Sequence, residues 1–381
     1  MGPDDSGLPR VPIPSDSGPD RSVDPVLRRR LRAAADGDGF LPFDRFMEIS
    51  LYDPGRGFYD RASTRLGREG DFYTAAHVHG LFGATLAAHF RQIRRAEGSP
   101  SRFPIVEVGP GDGTLAADIR TALPRQSPEF AGWEYVLVER SASLRTAIQN
   151  RLGRTEPGQV PWRFAPSLGS LEPLRGILLA NELLDAFPFR RLVRTDRGWS
   201  EVGIIVPAEG PLQADTRAPA SSELPGDLPE SAPPGTVLEI SGAMEAWIRE
   251  LADHLAGGRA VLIDFGVEEE ALISRGRTGT LEAIRDHRSV DPLSRPGTAD
   301  ISAWVNFTRV RRAAKASGLE ETYYGPLSEA LVSWGVDDVR SQLEAGADSV
   351  ESVKLRLAQK SFLFGFESFK VLELSPPGAS V

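Results

Sequence analysis

The spacing of apolar residues predicts a helical N-terminal region. Residues 25–35 predict an Arg-rich helix, and residues 41–51 show the pattern of an amphipathic helix. A turn-rich stretch at 52–59 separates them from a longer amphipathic segment at 77–97. Residues 25–100 are therefore predicted to form one helical region. Residues 1–24, rich in Gly, Pro, Asp and Ser, are expected to be a disordered tail.

From residue 101 onward, short apolar runs alternate with helical segments. Continuous apolar runs suit strands whose two faces are both covered, and strand–helix alternation predicts an α/β fold with a parallel sheet. Strands are predicted at 103–108, 135–138, 177–179, 260–265 and 366–374, and helices at 111–123, 141–152, 305–316 and 337–359. One α/β domain is thus predicted over residues 101–374, with a short tail at 375–381.

Two segments interrupt this alternation. Residues 207–235 are rich in Pro, Ala, Ser and acidic residues, which predicts a mobile surface insertion. Residues 266–316 begin with a polar, Arg-rich stretch that has few apolar anchors, and they are interpreted as a second insertion.

Composition excludes several kinds of protein. The chain of 381 residues has no cysteine, so disulfides, zinc–thiolate sites and cysteine nucleophiles are excluded, and its five histidines leave little for a metal cluster. The net charge of −9 makes nucleic acid an unexpected partner. No run approaches the ~20 apolar residues that a membrane span needs. The first residues lack the plan of a signal or transit peptide, so a cytoplasmic location is expected.

The strongest local signal is a glycine turn after the first predicted strand. Glu107 lies in that strand, and Gly109, Gly111 and Gly113 follow at alternate positions before a helix. Glycines let the backbone turn tightly and approach a ligand closely. The spacing differs from the dinucleotide-binding fingerprint, and Asp112 in the turn would repel a pyrophosphate. An acidic turn suits a ligand that carries an amine or sulfonium cation.

A second acid points to a nucleoside. Glu139 ends the next predicted strand, 26 residues after Gly113, which is the distance class at which an acid meets ribose hydroxyls in doubly wound sheets. Glu107 is expected to order the loop or to contact the amino-acid end of the ligand. The alternative is a glycine-rich connector with a satisfied surface acid. The combination favours S-adenosylmethionine (SAM) as cofactor, held by these residues without a metal.

Several segments resemble one enzyme family. The turn from Glu107 to Gly113 resembles motif I of class I SAM-dependent methyltransferases. Further blocks resemble the MidA-like family of these enzymes, which includes the mitochondrial complex I assembly methyltransferase. They are 67–74 (Gly-Arg-Glu-Gly-Asp-Phe-Tyr-Thr), 181–188 (Asn-Glu-Leu-Leu-Asp-Ala-Phe-Pro), 263–266, 297–302, 305–307 and 369–372. The resemblance covers about residues 40–374. It implies a class I (Rossmann-like) methyltransferase sheet with an added helical N-terminal part, and protein-arginine methylation as the activity of the mitochondrial member.

The chain departs from the family pattern in two places. Residues 75–77 are Ala-Ala-His where the family commonly has Ser-Pro-Glu. Glu282 and Ile284 stand where the family commonly has an Arg and a Tyr. The SAM turn is intact, so these departures bear on the acceptor and on whether catalysis is retained.

The candidate catalytic residues follow the predicted strand at 177–179. An arginine acceptor needs a carboxylate that grips its guanidinium plane and a group that helps it lose a proton. Asn181, Glu182 and Asp185 lie at the edge where open α/β sheets bind ligands, and the two acids would share a face on a helical turn. The hypothesis is that Glu182 grips the acceptor, Asp185 assists, and Asn181 holds the donor or the loop. The alternative is that both acids cap a short helix.

Three further residues complete the predicted cofactor site. Gly70, Asp71 and Thr74 are predicted to form an N-terminal lid over SAM, with an ordinary turn before a helix as the alternative. The insertion at 266–316 is assigned to the acceptor side. Asp264 at a strand end is interpreted first as part of a structural turn and second as an acid near the acceptor.

The sequence thus predicts a SAM-dependent methyltransferase that acts on a protein, with arginine of a respiratory-complex subunit or its bacterial counterpart as the acceptor. Two alternatives stay open: a small-molecule O- or N-methyltransferase, and a non-catalytic SAM-binding assembly factor. The expected partner is an unidentified protein substrate, and a homodimer is left open.

Overall fold

The computed structural model describes residues 22–61, 75–126, 132–218, 224–275 and 279–378. These residues form two compact units, each built from three chain segments. The antiparallel unit draws on residues 1–64, 185–244 and 267–308, and the parallel unit on residues 65–184, 245–266 and 309–381. The predicted tails and the predicted 207–235 insertion lie partly outside the described residues, and so do Gly70, Asp71 and Thr74 of the predicted lid.

The described residues contain helices and strands throughout. The α-helices are α1 (Pro25–Ala34), α2 (Phe43–Tyr52), α3 (Ala75–Val78), α4 (Leu81–Ala96), α5 (Thr114–Gln126), α6 (Ala142–Leu152), α7 (Gly242–His254), α8 (Glu269–Arg275), α9 (Phe307–Ala316), α10 (Leu327–Ser333), α11 (Val336–Glu344) and α12 (Ser349–Phe364). The strands are β1 (Phe40–Pro42), β2 (Phe103–Val108), β3 (Trp133–Val138), β4 (Trp162–Ala165), β5 (Leu174–Asn181), β6 (Arg190–Thr195), β7 (Gly198–Ile205), β8 (Gln213–Arg217), β9 (Val237–Ile240), β10 (Leu255–Val267), β11 (Glu282–Arg285), β12 (Arg288–Ser289), β13 (Asp300–Ser302), β14 (Val305–Asn306), β15 (Glu320–Pro326) and β16 (Phe369–Ser375). Short 3-10 helices are Phe58–Asp60, Leu168–Ser170 and Leu184–Ala186.

The parallel unit is built on one sheet in the order β4-β3-β2-β5-β10-β16-β15. In this set of strands β16 pairs antiparallel with both β10 and β15, and the other neighbouring pairs are parallel. The chain moves outward from β2 to β3 and β4, then returns to β5 on the other side of β2. The strand order therefore reverses between β2 and β5, and ligands of open α/β sheets bind at the carboxyl ends of strands beside such a reversal.

The core of the parallel unit explains why these runs became strands. Every residue of β2 is buried, and Ile105 pairs in register with Ile177 of β5. These side chains join one buried cluster with Phe82 and Phe90 of α4. Each fully buried side chain of this size contributes ~1.5–3 kcal/mol relative to exposure. The central strands are thus fixed in register, and their carboxyl ends are aligned at one edge.

The antiparallel unit has two small sheets and its own core. Strand β7 pairs with β6, β1 and β8, and β6 pairs with β9. The second sheet has the order β12-β11-β13. Its largest core cluster includes Phe43, Phe46, Phe189 and Ile301. Arg191 is completely buried, with its Nε 3.2 Å from Glu239 Oε1.

The predicted α/β fold is confirmed, with local differences. The predicted helix at 337–359 is instead two helices, α11 and α12, because helical structure is interrupted around Gly346. Asp348 is the N-cap of α12, and its Oδ1 accepts hydrogen bonds from the N–H groups of Val350 and Glu351. The segment predicted at 77–97 is likewise divided between α3 and α4. Strands β6 to β9 were not predicted at all. No helix in the described ranges is long and apolar enough to cross a membrane.

Candidate active site

The glycine turn connects β2 to α5 at the reversal of strand order. Gly109, Gly111 and Gly113 have φ angles of +69°, +57° and +80°, a region in which other residues are strained. A Cβ on Gly109 would lie 2.7 Å from Cδ1 of Leu183, in the loop after β5. The turn therefore requires glycine, and its backbone packs directly on the loop that carries the candidate catalytic acid.

Asp112 in this turn is held by protein groups. Its Oδ1 accepts from the N–H and hydroxyl of Thr114 at 3.0 and 2.7 Å, and its Oδ2 lies 2.6 Å from Nη2 of Arg151. His77 of α3 lies 3.4 Å from Oδ1. Burial raises the pKa of Asp112, but His77, Thr114 and Arg151 together outweigh burial and hold that pKa well below its usual value. Asp112 is thus an ionised acid that fixes the start of α5.

Glu107 is buried in β2, where it accepts a hydrogen bond of 2.8 Å from the Tyr135 hydroxyl. Burial raises the pKa of Glu107 to about 7, against the opposing effect of that hydrogen bond. Tyr135 lies opposite Ile105 in the parallel register of β2 and β3, so the two polar groups share a face of the sheet.

Glu139 follows the last residue of β3. Its Oε1 accepts from the Ser141 N–H at 2.6 Å, and only 6% of the residue is exposed. Burial raises the pKa of Glu139 to about 7, although this hydrogen bond and the charge of Arg145 lower it. Near neutral pH this carboxyl is therefore partly protonated, and any group that donates hydrogen bonds to it will favour its ionised form.

Asn181 and Glu182 lie at the carboxyl end of β5. Glu182 has φ = +52°, uncommon for a residue with a side chain. Its Oε1 accepts from the Ala75 N–H at 3.1 Å and from Asn181 Nδ2 at 3.3 Å. The buried Oδ1 of Asn181 accepts no hydrogen bond from the described residues. Because strained residues cluster at functional sites, this pair is the strongest catalytic candidate in the unit.

Asp264 holds the loop that carries Glu182. Its side chain is completely buried near the end of β10. Oδ2 accepts from the N–H groups of Leu183 and Leu184 at 3.1 and 2.8 Å, and Oδ1 accepts from the Phe265 N–H at 2.8 Å. These contacts support the interpretation of Asp264 as part of a structural turn.

Asp185 belongs to the antiparallel unit, so it is described there. It is 3% exposed. Tyr59 donates a 2.7 Å hydrogen bond to Asp300 Oδ1 and stacks on Tyr52 at 5.5 Å. Burial raises the pKa of Tyr59 well above its usual value, and Asp300, Tyr52 and Asp185 raise it further. Asp185 therefore lies in an acidic, aromatic environment.

The helical-face argument for Glu182 and Asp185 is wrong. Glu182 precedes the 3-10 helix Leu184–Ala186 and has a left-handed backbone, so the two residues are not three positions apart on one helix. The roles assigned to them remain predictions.

Comparison with known proteins settles the family. A family model described as "Putative S-adenosyl-L-methionine-dependent methyltransferase" matches residues 85–325, which is more than half of the chain. The chain belongs to this family. A Drosophila melanogaster relative, "Protein arginine methyltransferase NDUFAF7 homolog, mitochondrial", is 32% identical over 337 residues, covering 80% of this chain and 73% of the relative. The rat "Protein arginine methyltransferase NDUFAF7, mitochondrial" is 27% identical, covering 88% and 80%.

Solved structures agree. A Burkholderia thailandensis protein, crystallised with S-adenosyl-homocysteine, is 31% identical and covers 97% of each chain with a TM-score of 0.82. A native crystal structure of a protein from the same organism gives a TM-score of 0.80 at 31% identity. This chain therefore has the class I methyltransferase fold and is a SAM-dependent methyltransferase of the MidA-like family.

The residues present in this methyltransferase fit its donor. The turn after β2 has no side chain at Gly109, Gly111 or Gly113, so these residues present only backbone groups. Glu107 and Glu139 bring buried carboxyls to the ends of adjacent strands, and Asn181 adds a buried oxygen with no partner in the described structure. The hydroxyl and amine groups of SAM can donate hydrogen bonds to these oxygens, and the carboxyls also suit its positively charged sulfonium. No cluster of three or more potential metal ligands occurs in the described residues.

Three residues of this methyltransferase site escaped the sequence analysis in part. The sequence analysis assigns Tyr135 only to a strand, although two polar residues on one face of neighbouring strands are a signal for its pairing with Glu107. His77 enters the sequence analysis only as part of the departure at 75–77, and its contact with Asp112 is not predicted. The backbone contacts of Asp264 span 80 and 81 positions, which no local pattern reports.

Proposed function

We propose that this methyltransferase transfers the methyl group of SAM to the guanidinium of an arginine in a protein. The observation that carries the proposal is the left-handed Glu182 at the end of β5, beside the glycine turn through Leu183. The similarity to fly and rat proteins named protein arginine methyltransferases supports the choice of acceptor. A respiratory-complex subunit, or its bacterial counterpart, is the proposed protein.

The side chains divide the work between donor and acceptor. SAM supplies a methyl group already activated on a sulfonium, so the protein mainly positions the reactants. Glu139 accepts hydrogen bonds from ribose hydroxyls, and Glu107 and Asn181 hold the amino-acid end of the donor. Glu182 accepts N–H bonds in the plane of the guanidinium, as carboxylates do. As the new C–N bond forms, the S–CH3 bond breaks and S-adenosyl-homocysteine is released, and the Glu182 carboxylate accepts the proton that the methylated nitrogen loses.

The test compares Glu182→Gln with wild type in two assays. Calorimetry with S-adenosyl-homocysteine is expected to show donor affinity within about twofold of wild type, because Asn181 and the glycine turn are retained. Labelled methyl transfer to protein from a lysate lacking the gene is expected to fall ~100-fold or more, as for loss of a general acid–base group. Amino-acid analysis of the labelled protein is expected to give methylarginine. Glu172→Gln, an exposed change, is the matched control.

The same experiment separates the alternatives. Label found only in the small-molecule fraction would support a small-molecule methyltransferase. Donor binding with no transfer to any fraction would support a non-catalytic assembly factor. Unchanged turnover in Glu182→Gln would remove the assigned role of Glu182. A cytoplasmic location and a homodimer remain predictions of this proposal.

A further inference from the structure

Helix α12 has an unusual exposed face. Among the described residues, five large apolar side chains are strongly exposed, and four of them lie on this helix. They are Val350, Val353, Leu357 and Phe364, with exposed fractions of 62%, 56%, 62% and 69%. Single exposed apolar residues need no explanation, but four on one helix indicate an interaction surface.

These four residues form a narrow seam opposite the buried face. At ~100° per residue they fall within about 60° of the helix circumference. Leu355, Ala358 and Phe362 point the other way into the core. A helix that is apolar on two opposite faces is expected to lie between two layers. Only one of those layers is present in the described part of the chain.

The spacing of the seam matches a helical partner. Val350, Val353, Leu357 and Phe364 occupy a, d, a and a positions of a heptad, and Lys360 takes the remaining d position. A strict a/d seam is typical of helix–helix pairing, whereas a helix lying on a lipid surface needs a wider apolar face. The seam therefore fits one helix better than it fits a membrane.

Charge selects among helical partners. From 350 to 364 the exposed residues are the four apolar ones and three basic ones, Lys354, Arg356 and Lys360. Lys354 and Arg356 also contact Glu351 and Glu344, yet remain 61% and 69% exposed. These basic side chains border the seam although the chain as a whole carries a net charge of −9. A second copy paired through the same face would set basic side chains against basic side chains, which is unfavourable.

We propose that α12 docks an acidic amphipathic helix of a partner protein. The partner would place apolar a and d residues on the seam, and Asp or Glu beside the three basic side chains. This surface is separate from the donor site, and the proposal does not depend on which atom is methylated.

The test uses the full-length protein and two labelled synthetic peptides of three heptads. Both carry Leu at a and d, and they differ by Glu or Lys at e and g. Fluorescence anisotropy is expected to show binding of the Glu peptide at least ~10-fold tighter, with the difference shrinking at high ionic strength. Leu357→Ser is expected to weaken binding ~10-fold, since it removes a central apolar contact.

Charge variants keep the test independent of the apolar ones. Lys360→Glu is expected to reduce the preference for the Glu peptide several-fold, whereas Lys315→Glu, the same change at an exposed position of α9, is expected to leave it unchanged. Circular dichroism and S-adenosyl-homocysteine binding check that each variant is folded.

Four outcomes would overturn the proposal. These are equal binding of both peptides, binding unaffected by Leu357→Ser, self-association in sedimentation that Leu357→Ser abolishes, and seam-dependent binding to phosphatidylglycerol vesicles without peptide binding. The third would assign the seam to a second copy and the fourth to lipid.

Discussion

The two strand ends beside the reversal of strand order are held by different means. After β2, the backbone itself forms the turn, through three glycines in left-handed conformations. After β5, a side chain from another strand forms it, because Asp264 binds the N–H groups of Leu183 and Leu184. The glycine turn is thus encoded locally and is sensitive to an added Cβ. The loop that carries Glu182 is encoded at long range and is sensitive to loss of one carboxylate.

The acid in the turn after β2 and the acid that follows β3 also differ. Both carboxylate oxygens of Asp112 accept hydrogen bonds from protein groups, and Asp112 stays ionised. Glu139 is desolvated, and its pKa rises to about 7. Two acids of one predicted site can therefore differ in role. An acid whose oxygens are occupied by protein groups stabilises the fold, and a desolvated acid is the better candidate to bind a ligand.

The largest expected effect comes from Gly109→Ala. The new Cβ would meet Leu183 and occupy a strained backbone, costing ~2 kcal/mol or more of stability. Affinity for S-adenosyl-homocysteine, measured by calorimetry, is expected to fall at least ~10-fold, since the turn must move.

Gly158→Ala is the matched control for this change. Its φ is +87° and a Cβ there would meet nothing within 4 Å. It should show the backbone strain without the loss of donor affinity. Equal losses in both variants would contradict a specific role for the Gly109 turn.

Asp264→Asn is expected to damage the other strand end. One amide oxygen cannot accept all three N–H groups, and leaving a buried N–H unpaired costs ~1–3 kcal/mol. Because the loop carries Glu182, turnover should fall more than donor affinity does, which paired activity and calorimetry measurements would show. The exposed change Asp253→Asn should alter neither. Donor affinity that falls as much as turnover would show that the two strand ends are not separable.

Donor binding is expected to depend on pH through Glu139. Its pKa near 7 means that it is mostly protonated at pH 6 and mostly ionised at pH 8, and hydroxyl donors favour the ionised form. Affinity for S-adenosyl-homocysteine should therefore rise up to ~10-fold from pH 6 to pH 8. Glu139→Gln should flatten the profile. If only Glu107→Gln flattened it, the titrating acid would be Glu107.

The smallest effect is expected from Arg151→Gln. The pKa of Asp112 is lowered on folding, so its contribution to stability is present above the unfolded pKa of ~3.9 and lost as pH falls below it. Urea unfolding should show a deficit of up to ~1 kcal/mol that is constant from pH 5 to pH 8. A deficit that changed with pH in that window would mean that Asp112 titrates there.

Sequence reasoning reached those parts of the molecule whose signals are local. Apolar runs located β2, β5 and β10, and glycine spacing located the left-handed turn after β2. It missed β6 to β9, because their core includes the buried pair Arg191 and Glu239, which reads as a polar surface. It gave Asp264 no specific partners, since these are fixed only when β10 pairs with β5. A hydropathy pattern cannot identify charged residues that are buried in long-range pairs.

The position of β16 has a consequence for biosynthesis. Strand β16 lies between β10 and β15 in the sheet and pairs with both of them. A ribosome-bound chain therefore leaves the edges that β16 covers unpaired until residues 369–375 emerge, and unpaired strand edges favour aggregation. A chain truncated before Phe369 would keep Gly109, Glu139 and Glu182 and would still leave these strand edges unpaired.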